Sequence, residues 1–177
     1  MPMATHAKRW TLAELHRLPD DGNKYELVRG DLFVTPAPSV AHETILVRLT
    51  DMLAPFVAAN DLGKVFHPRA VVRFEGSEVE PDMMVRRLHP DLDWDDAPTP
   101  SLVIEVLSDS TRRRDLGAKR QLYMDASVPE YWIVDQEAQH VLVVRPGEAD
   151  DRAAGQLTWT PPGARQSLVI EVSAIFG

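Results

Sequence analysis

Apolar and polar positions change their period along the chain, and each change marks an element. Residues 10–18, WTLAELHRL, predict a short helix that Thr11 can cap, with Glu14 three residues on. Residues 25–35, YELVRGDLFVT, alternate on either side of Arg29-Gly30 and predict a hairpin. Across 39–60 the apolar residues Ile45, Leu49, Met52, Leu53, Phe56 and Val57 recur at helical spacing. Ser39 is placed to cap that helix, and Pro55 predicts a bend or an early end. Strand patterns return at 63–75, interrupted at Pro68, and at 78–87. A loop rich in Pro and Asp fills 88–100, and the continuous apolar run 101–108 predicts a buried strand. Residues 113–127 predict a helix, with Gly117 tolerated at about 1 kcal/mol relative to Ala. Two strands follow, 130–136 and 139–146, around a tight turn. The polar stretch 146–166 predicts no element, and 167–172 closes the chain as a strand.

No linker interrupts this order, which predicts a single mixed α/β domain over residues 1–177. A chain of this length with 44% hydrophobic residues can bury one core. It contains no cysteine, which excludes disulfides, thiolate metal sites and a cysteine nucleophile and fits a reducing cytoplasm. No apolar run approaches the roughly 18 residues of a membrane span, and the first ten residues lack the apolar core of a signal peptide. The formal charge of −8 argues against a generic nucleic-acid coat. Basic residues nevertheless gather locally. TRRRDLGAKR at 111–120 holds five of them, and Arg86 and Arg87 add two.

One hexapeptide, SLVIEV, occurs at 101–106 and again at 167–172. Each copy sets a glutamate, Glu105 or Glu171, inside an apolar strand. In the first copy Leu102, Ile104 and Val106 face one way, and Val103, Glu105 and Leu107 face the other. An ionised carboxylate in such a layer costs several kcal/mol unless it is paired or binds a cation. Upstream, EPDMMV places Asp82 on one face with Glu80 and Met84, next to a proline that cannot join a ladder. Downstream, Asp115, Lys119 and Tyr123 stand four apart, on one helical face. Two carboxylates on neighbouring strands suit a hard divalent ion such as Mg²⁺ or Mn²⁺. Lys119, on the helix that follows, is placed to hold an attacking water and offset charge on a phosphoryl transition state. Glu171 has no acid or lysine after it and is expected to be an edge-strand glutamate.

YELVRGDL, the PD at 81–82, LVIEVLSDST, Asp115-x3-Lys119-x3-Tyr123 and EYWIVD, in this order, resemble the Uma2 (DUF820) family of the PD-(D/E)XK nuclease-like superfamily. The resemblance covers roughly residues 10–145. It implies a restriction-endonuclease-like core, a mixed sheet flanked by helices, with metal held at the end of the sheet. By position, Asp82 matches the motif aspartate and Glu105 the second acid. The superfamily's lysine would fall at position 107, which is Leu107, and Lys119 matches the place from which this family supplies it. Tyr123 would pack behind that lysine or touch a phosphate. The resemblance also points to Glu26 and to His42, the latter as a metal ligand or its supporting group. Asp109 stands where family members often have proline.

Together with the resemblance, these residues imply a Mg²⁺- or Mn²⁺-dependent endonuclease, with Asp82, Glu105 and, from the resemblance, His42 at the metal. Arg86 and Arg112, Arg113 and Arg114 would lie on the phosphate backbone of DNA rather than RNA. No membrane is expected as partner. A homodimer is expected from nuclease folds that cut two strands, and in part from the resemblance. Two alternatives stay open. A binding or regulatory protein on the same fold would keep metal binding without turnover. A metal-free hydrolase using Asp82 and Glu105 as acid and base would resist chelators. His67, His89 and His140 lack partners at ligand spacing and are expected to be structural or exposed. Trp132 is expected in the core or a dimer surface, and Asp135 at the turn that follows it.

Overall fold

The computed structural model describes residues 8–87, 91 and 93–177. His89 lies outside them. Thr11 caps α1 (Leu12–Leu15) through a capping box, its hydroxyl accepting from the Glu14 amide while the Glu14 carboxylate accepts from the Thr11 amide. β1 (Lys24–Val28) and β2 (Asp31–Thr35) pair antiparallel across Arg29-Gly30. Both turn residues have positive φ, 49° and 86°, as a two-residue hairpin turn with the strands' own twist requires.

Ser39 caps α2 (Val40–Ala59) by accepting from the His42 amide at 3.2 Å. Pro55 does not shorten this helix. Phe56 and Val57, just past the proline, are buried in the core, and their packing holds the last turn in place. The run 63–75 divides into β3 (Lys64–Phe66) and β4 (Val72–Phe74), which lie in different sheets. The run 78–87 divides likewise. β5 (Ser77–Val79) pairs with β1 and β4, whereas β6 (Met83–Arg86) pairs with β3. Glu80, Pro81 and Asp82 span the break, where Pro81 has no N–H to give a ladder.

β7 (Leu102–Val106) pairs antiparallel with β6 and parallel with β8 (Tyr131–Asp135). A parallel pair needs a crossover. Here it is α3 (Arg112–Arg114), a π-helical turn (Asp115–Lys119) and α4 (Arg120–Asp125), where the sequence pattern predicts one uninterrupted helix. β9 (His140–Val144) completes the expected hairpin with β8. The polar stretch that follows holds two strands the pattern does not show, β10 (Asp151–Ala153) and β11 (Gln156–Trp159). At three and four residues they are too short for a legible period. β11 pairs with β12 (Leu168–Glu171), and α5 (Val172–Phe176) begins at the last residue of the second hexapeptide, which therefore does not end the chain as a strand.

Among the described residues the strands form sheets of order β10-β9-β8-β7-β6-β3, β2-β1-β5-β4 and β11-β12. The six-stranded sheet has core on both faces. Leu102, Ile104 and Val106 pack with Leu49 of α2, Trp159 of β11 and Ile175 of α5. Val103 and Leu107 pack with Leu122 and Tyr123 of α4 and with Val28 and Val79 of the four-stranded sheet. Glu105 lies on this second face. No helix among the described residues is long and apolar enough to cross a membrane.

Arg86 does not sit where a phosphate backbone could reach it. It is 2% exposed, and its guanidinium donates to the carbonyls of Val71, Ala97 and Pro98. Three backbone acceptors and an apolar wall have claimed it, and burial pulls its pKa down to about 10. It ties the loop before β7 to the sheet. Arg87 stays at the surface, beside Asp61.

Candidate active site

Three elements converge beneath a cavity of about 460 Å³. The break between β5 and β6 brings Asp82, the first turn of α2 brings His42, and β1 brings Lys24. Asp82 Oδ2 accepts from the Val106 amide at 2.9 Å and lies 3.0 Å from His42 Nε2. Its Oδ1 accepts from Lys24 Nζ at 3.0 Å. Burial alone would raise the Asp82 carboxyl, but Lys24 and His42 outweigh it and hold the group well below the usual aspartate range. Burial would lower His42, and its bond to Asp82 outweighs that and raises it. Among the described residues His42 Nδ1 has no hydrogen-bond partner, with Glu43 Oε1 3.5 Å away.

Behind this front lies a fully buried ionic layer. Glu26, at 0% exposure, accepts from Lys119 Nζ at 2.8 Å and from the Glu80 amide at 2.9 Å through one oxygen. Its other oxygen is 3.3 Å from the Arg114 guanidinium. Burial alone would raise the carboxyl, but Lys119, Lys24 and Arg114 outweigh it and lower the group. Glu26 is thus an interior anchor. Lys119 also contacts Glu105, to which Tyr123 donates its hydroxyl proton at 3.0 Å. Burial pushes Glu105 up to about 8 against the pull of Lys119. The π-helical turn and α4 bury Asp115, Lys119 and Tyr123 together, as their spacing of four predicts.

Lys119 has no exposed surface and does not line the cavity. The geometry therefore sets it behind Glu105, not beside a water in the cavity. Of the basic run, Arg114 is buried against Glu26, Asp115 and Thr35, Arg112 pairs with Asp135 and Glu137, and Arg113 is exposed. His67 meets Thr50 and reaches the cavity wall, and His140 meets Arg152. Trp132 is in the core, and Asp135 accepts from the Ala138 amide in its turn.

Two residues that sequence reasoning does not assign to the site are in it. Lys24 shares a face of β1 with Glu26, so alternation was a usable signal. Glu80, which shares a face with Asp82, lines the cavity with a carboxyl that makes no hydrogen bond or ion pair among the described residues. Burial raises that carboxyl.

Glu171 presents the opposite picture. It is exposed at the end of β12 and accepts from the Gln156 amide nitrogen at 2.6 Å.

The donors suit a hard divalent ion: carboxylate oxygens, with one imidazole. The Asp82 carboxylate and the Glu80 carbonyl already hold a cation, the Lys24 ammonium, at 3.0 Å each. Among the described residues no three His, Cys, Asp or Glu side chains converge on one point, since Asp82 is turned to Lys24 and Glu105 to Lys119.

A solved structure shares this architecture. It is described as a "putative nuclease belonging to DUF820" from Anabaena variabilis, is 19% identical, and superposes with a TM-score of 0.78 over 94% of this chain and 97% of that one. No curated protein matches the chain. The Uma2 family model, described as "Putative restriction endonuclease", matches residues 12–174. With nearly the whole sequence matched, the chain belongs to the Uma2 family.

Proposed function

We propose that the protein is a Mg²⁺- or Mn²⁺-dependent endonuclease that hydrolyses phosphodiester bonds, of DNA rather than RNA. The observation that carries this reading is the junction of Asp82 with the strand of Glu105, tied by the hydrogen bond from the Val106 amide, at the floor of the cavity. Asp82 and His42, which meet at the cavity, would hold the ion, with Glu105 on the adjoining strand as the second acid. When bound, such an ion polarises a phosphoryl oxygen and makes water nucleophilic near neutral pH.

The chain's own residues prepare that site. Lys24 and His42 keep Asp82 ionised. Lys119 and Tyr123 fix the Glu105 carboxyl from behind, and Glu26 and Arg114 fix Lys119 in turn. The network is closed and buried, so Glu105 has one place to be. Arg113, with Arg112 beside it, is the exposed basic surface that would meet the phosphate backbone. The net charge of −8 demands that this attraction be local, and predicts weak, salt-sensitive affinity.

A binding or regulatory protein on the same fold is the second reading. The burial of Lys119 away from the cavity favours it. Supercoiled plasmid and single-stranded DNA, incubated with protein and Mn²⁺, Mg²⁺ or EDTA, separate the two. Cutting with metal and none with EDTA, lost in Asp82→Asn, supports the nuclease. Calorimetric Mn²⁺ binding without cutting supports the binding protein, and cutting that survives EDTA refutes the metal-dependent reading.

A further inference from the structure

The two lysines of this site face opposite ways. Lys119 is wholly enclosed, with its ammonium divided between Glu26 and Glu105. Lys24 lines the cavity, its side chain 15% exposed. Its ammonium has three N–H donors. One goes to the Glu80 carbonyl and one to Asp82 Oδ1, each at 3.0 Å. The third has no partner among the described residues and is available to a group in the cavity. Arg114, also on the cavity wall, has its guanidinium bound by Glu26, Asp115 and Thr35.

From this division we infer that Lys24, on the first strand, is the residue that contacts the phosphate of the substrate, while Lys119 positions Glu105. The inference rests on the nuclease reading above and names the ammonium that reading needs at the cavity. A point charge with one free donor suits a single phosphate oxygen. It lies beside Asp82, so the phosphate it holds is brought to that carboxylate on the cavity wall.

Each phosphate contact contributes about 0.9 to the slope of log affinity against log salt, which is about a threefold change in affinity between 50 and 200 mM. The test is fluorescence anisotropy of a short labelled DNA duplex, and of its single strand, across that range with Ca²⁺ as the ion. The result expected is a slope lower by about one in Lys24→Met, restored in Lys24→Arg. Lys64→Met makes the same charge change on an exposed strand outside the cavity and should keep the wild-type slope. Lys24→Met strands the Asp82 charge, so the same comparison is made between Asp82→Asn and Asp82→Asn with Lys24→Met. Thermal melts confirm that each variant is folded. An unchanged slope in both Lys24→Met backgrounds, or an equal drop in Lys64→Met, overturns the inference while leaving the nuclease reading standing. Failure of the wild type to bind either DNA in a salt-dependent way overturns both.

Discussion

The same six residues, SLVIEV, have two fates in this molecule. At 101–106 the hexapeptide supplies the centre of a six-stranded sheet, and Glu105 is 1% exposed between Lys119 and Tyr123. At 167–172 it supplies one strand of a two-stranded sheet, and Glu171 is exposed beside Gln156. Backbone preference is identical in the two copies, and both form strands. What differs is the layer laid over the glutamate. A crossover helix and the β1 hairpin cover Glu105, and they bring the cations that a buried carboxylate requires. No comparable layer among the described residues covers Glu171, which is exposed to water. A local sequence decides that a strand forms. Its neighbours decide whether the carboxyl on that strand is enclosed by partners or left to water.

Removing the cation behind the first copy should give the largest effect on stability. Lys119→Met leaves Glu26 and Glu105 buried without their shared partner, at a cost of about 3–5 kcal/mol, read as a lower midpoint in urea unfolding. A loss below about 1 kcal/mol would mean that the ionic layer is wetter than its geometry. A second effect, at most of similar size, separates the copies by pH. Glu105 has a folded pKa raised above its ordinary value of 4.5, to about 8. Its carboxyl therefore contributes stability that is complete below about pH 4.5 and is lost as pH rises through 8, at no more than about 1.4 kcal/mol per pH unit. Glu105→Gln lacks that loss, so its stability relative to wild type should climb between those pH values. A flat difference would show that Lys119 holds Glu105 ionised throughout. The smallest effect belongs to the second copy: Glu171→Ala should change stability by less than about 0.5 kcal/mol, as surface substitutions do.

How much of this was legible beforehand depends on whether a signal was local. Glu105 is readable because a charge inside an apolar run needs partners, and Lys119 and Tyr123 because residues four apart share a helical face. The hairpin and the capped helices α1 and α2 are readable for the same local reasons. Lys24 is harder, because its contact with Asp82 depends on how β1 and β5 pair across fifty residues of chain. Arg86 misleads in the opposite sense. Its charge suggests a surface, but the acceptors that bury it are carbonyls, which any sequence carries. The burial of Lys119 away from the cavity follows from the packing of the β1 hairpin over the crossover, which no spacing within the helix reveals.

The proposed chemistry belongs to Glu105 and not to Glu171. The most direct measurement is cleavage of supercoiled plasmid in Mn²⁺ by wild type, Glu105→Ala and Glu171→Ala, prepared and assayed side by side. Glu105→Ala is expected to lose about a hundredfold or more in rate, equivalent to ~2.7 kcal/mol of barrier, while Glu171→Ala cuts as wild type does. Cleavage that is indifferent to Glu105, or that falls equally in both variants, would contradict this assignment.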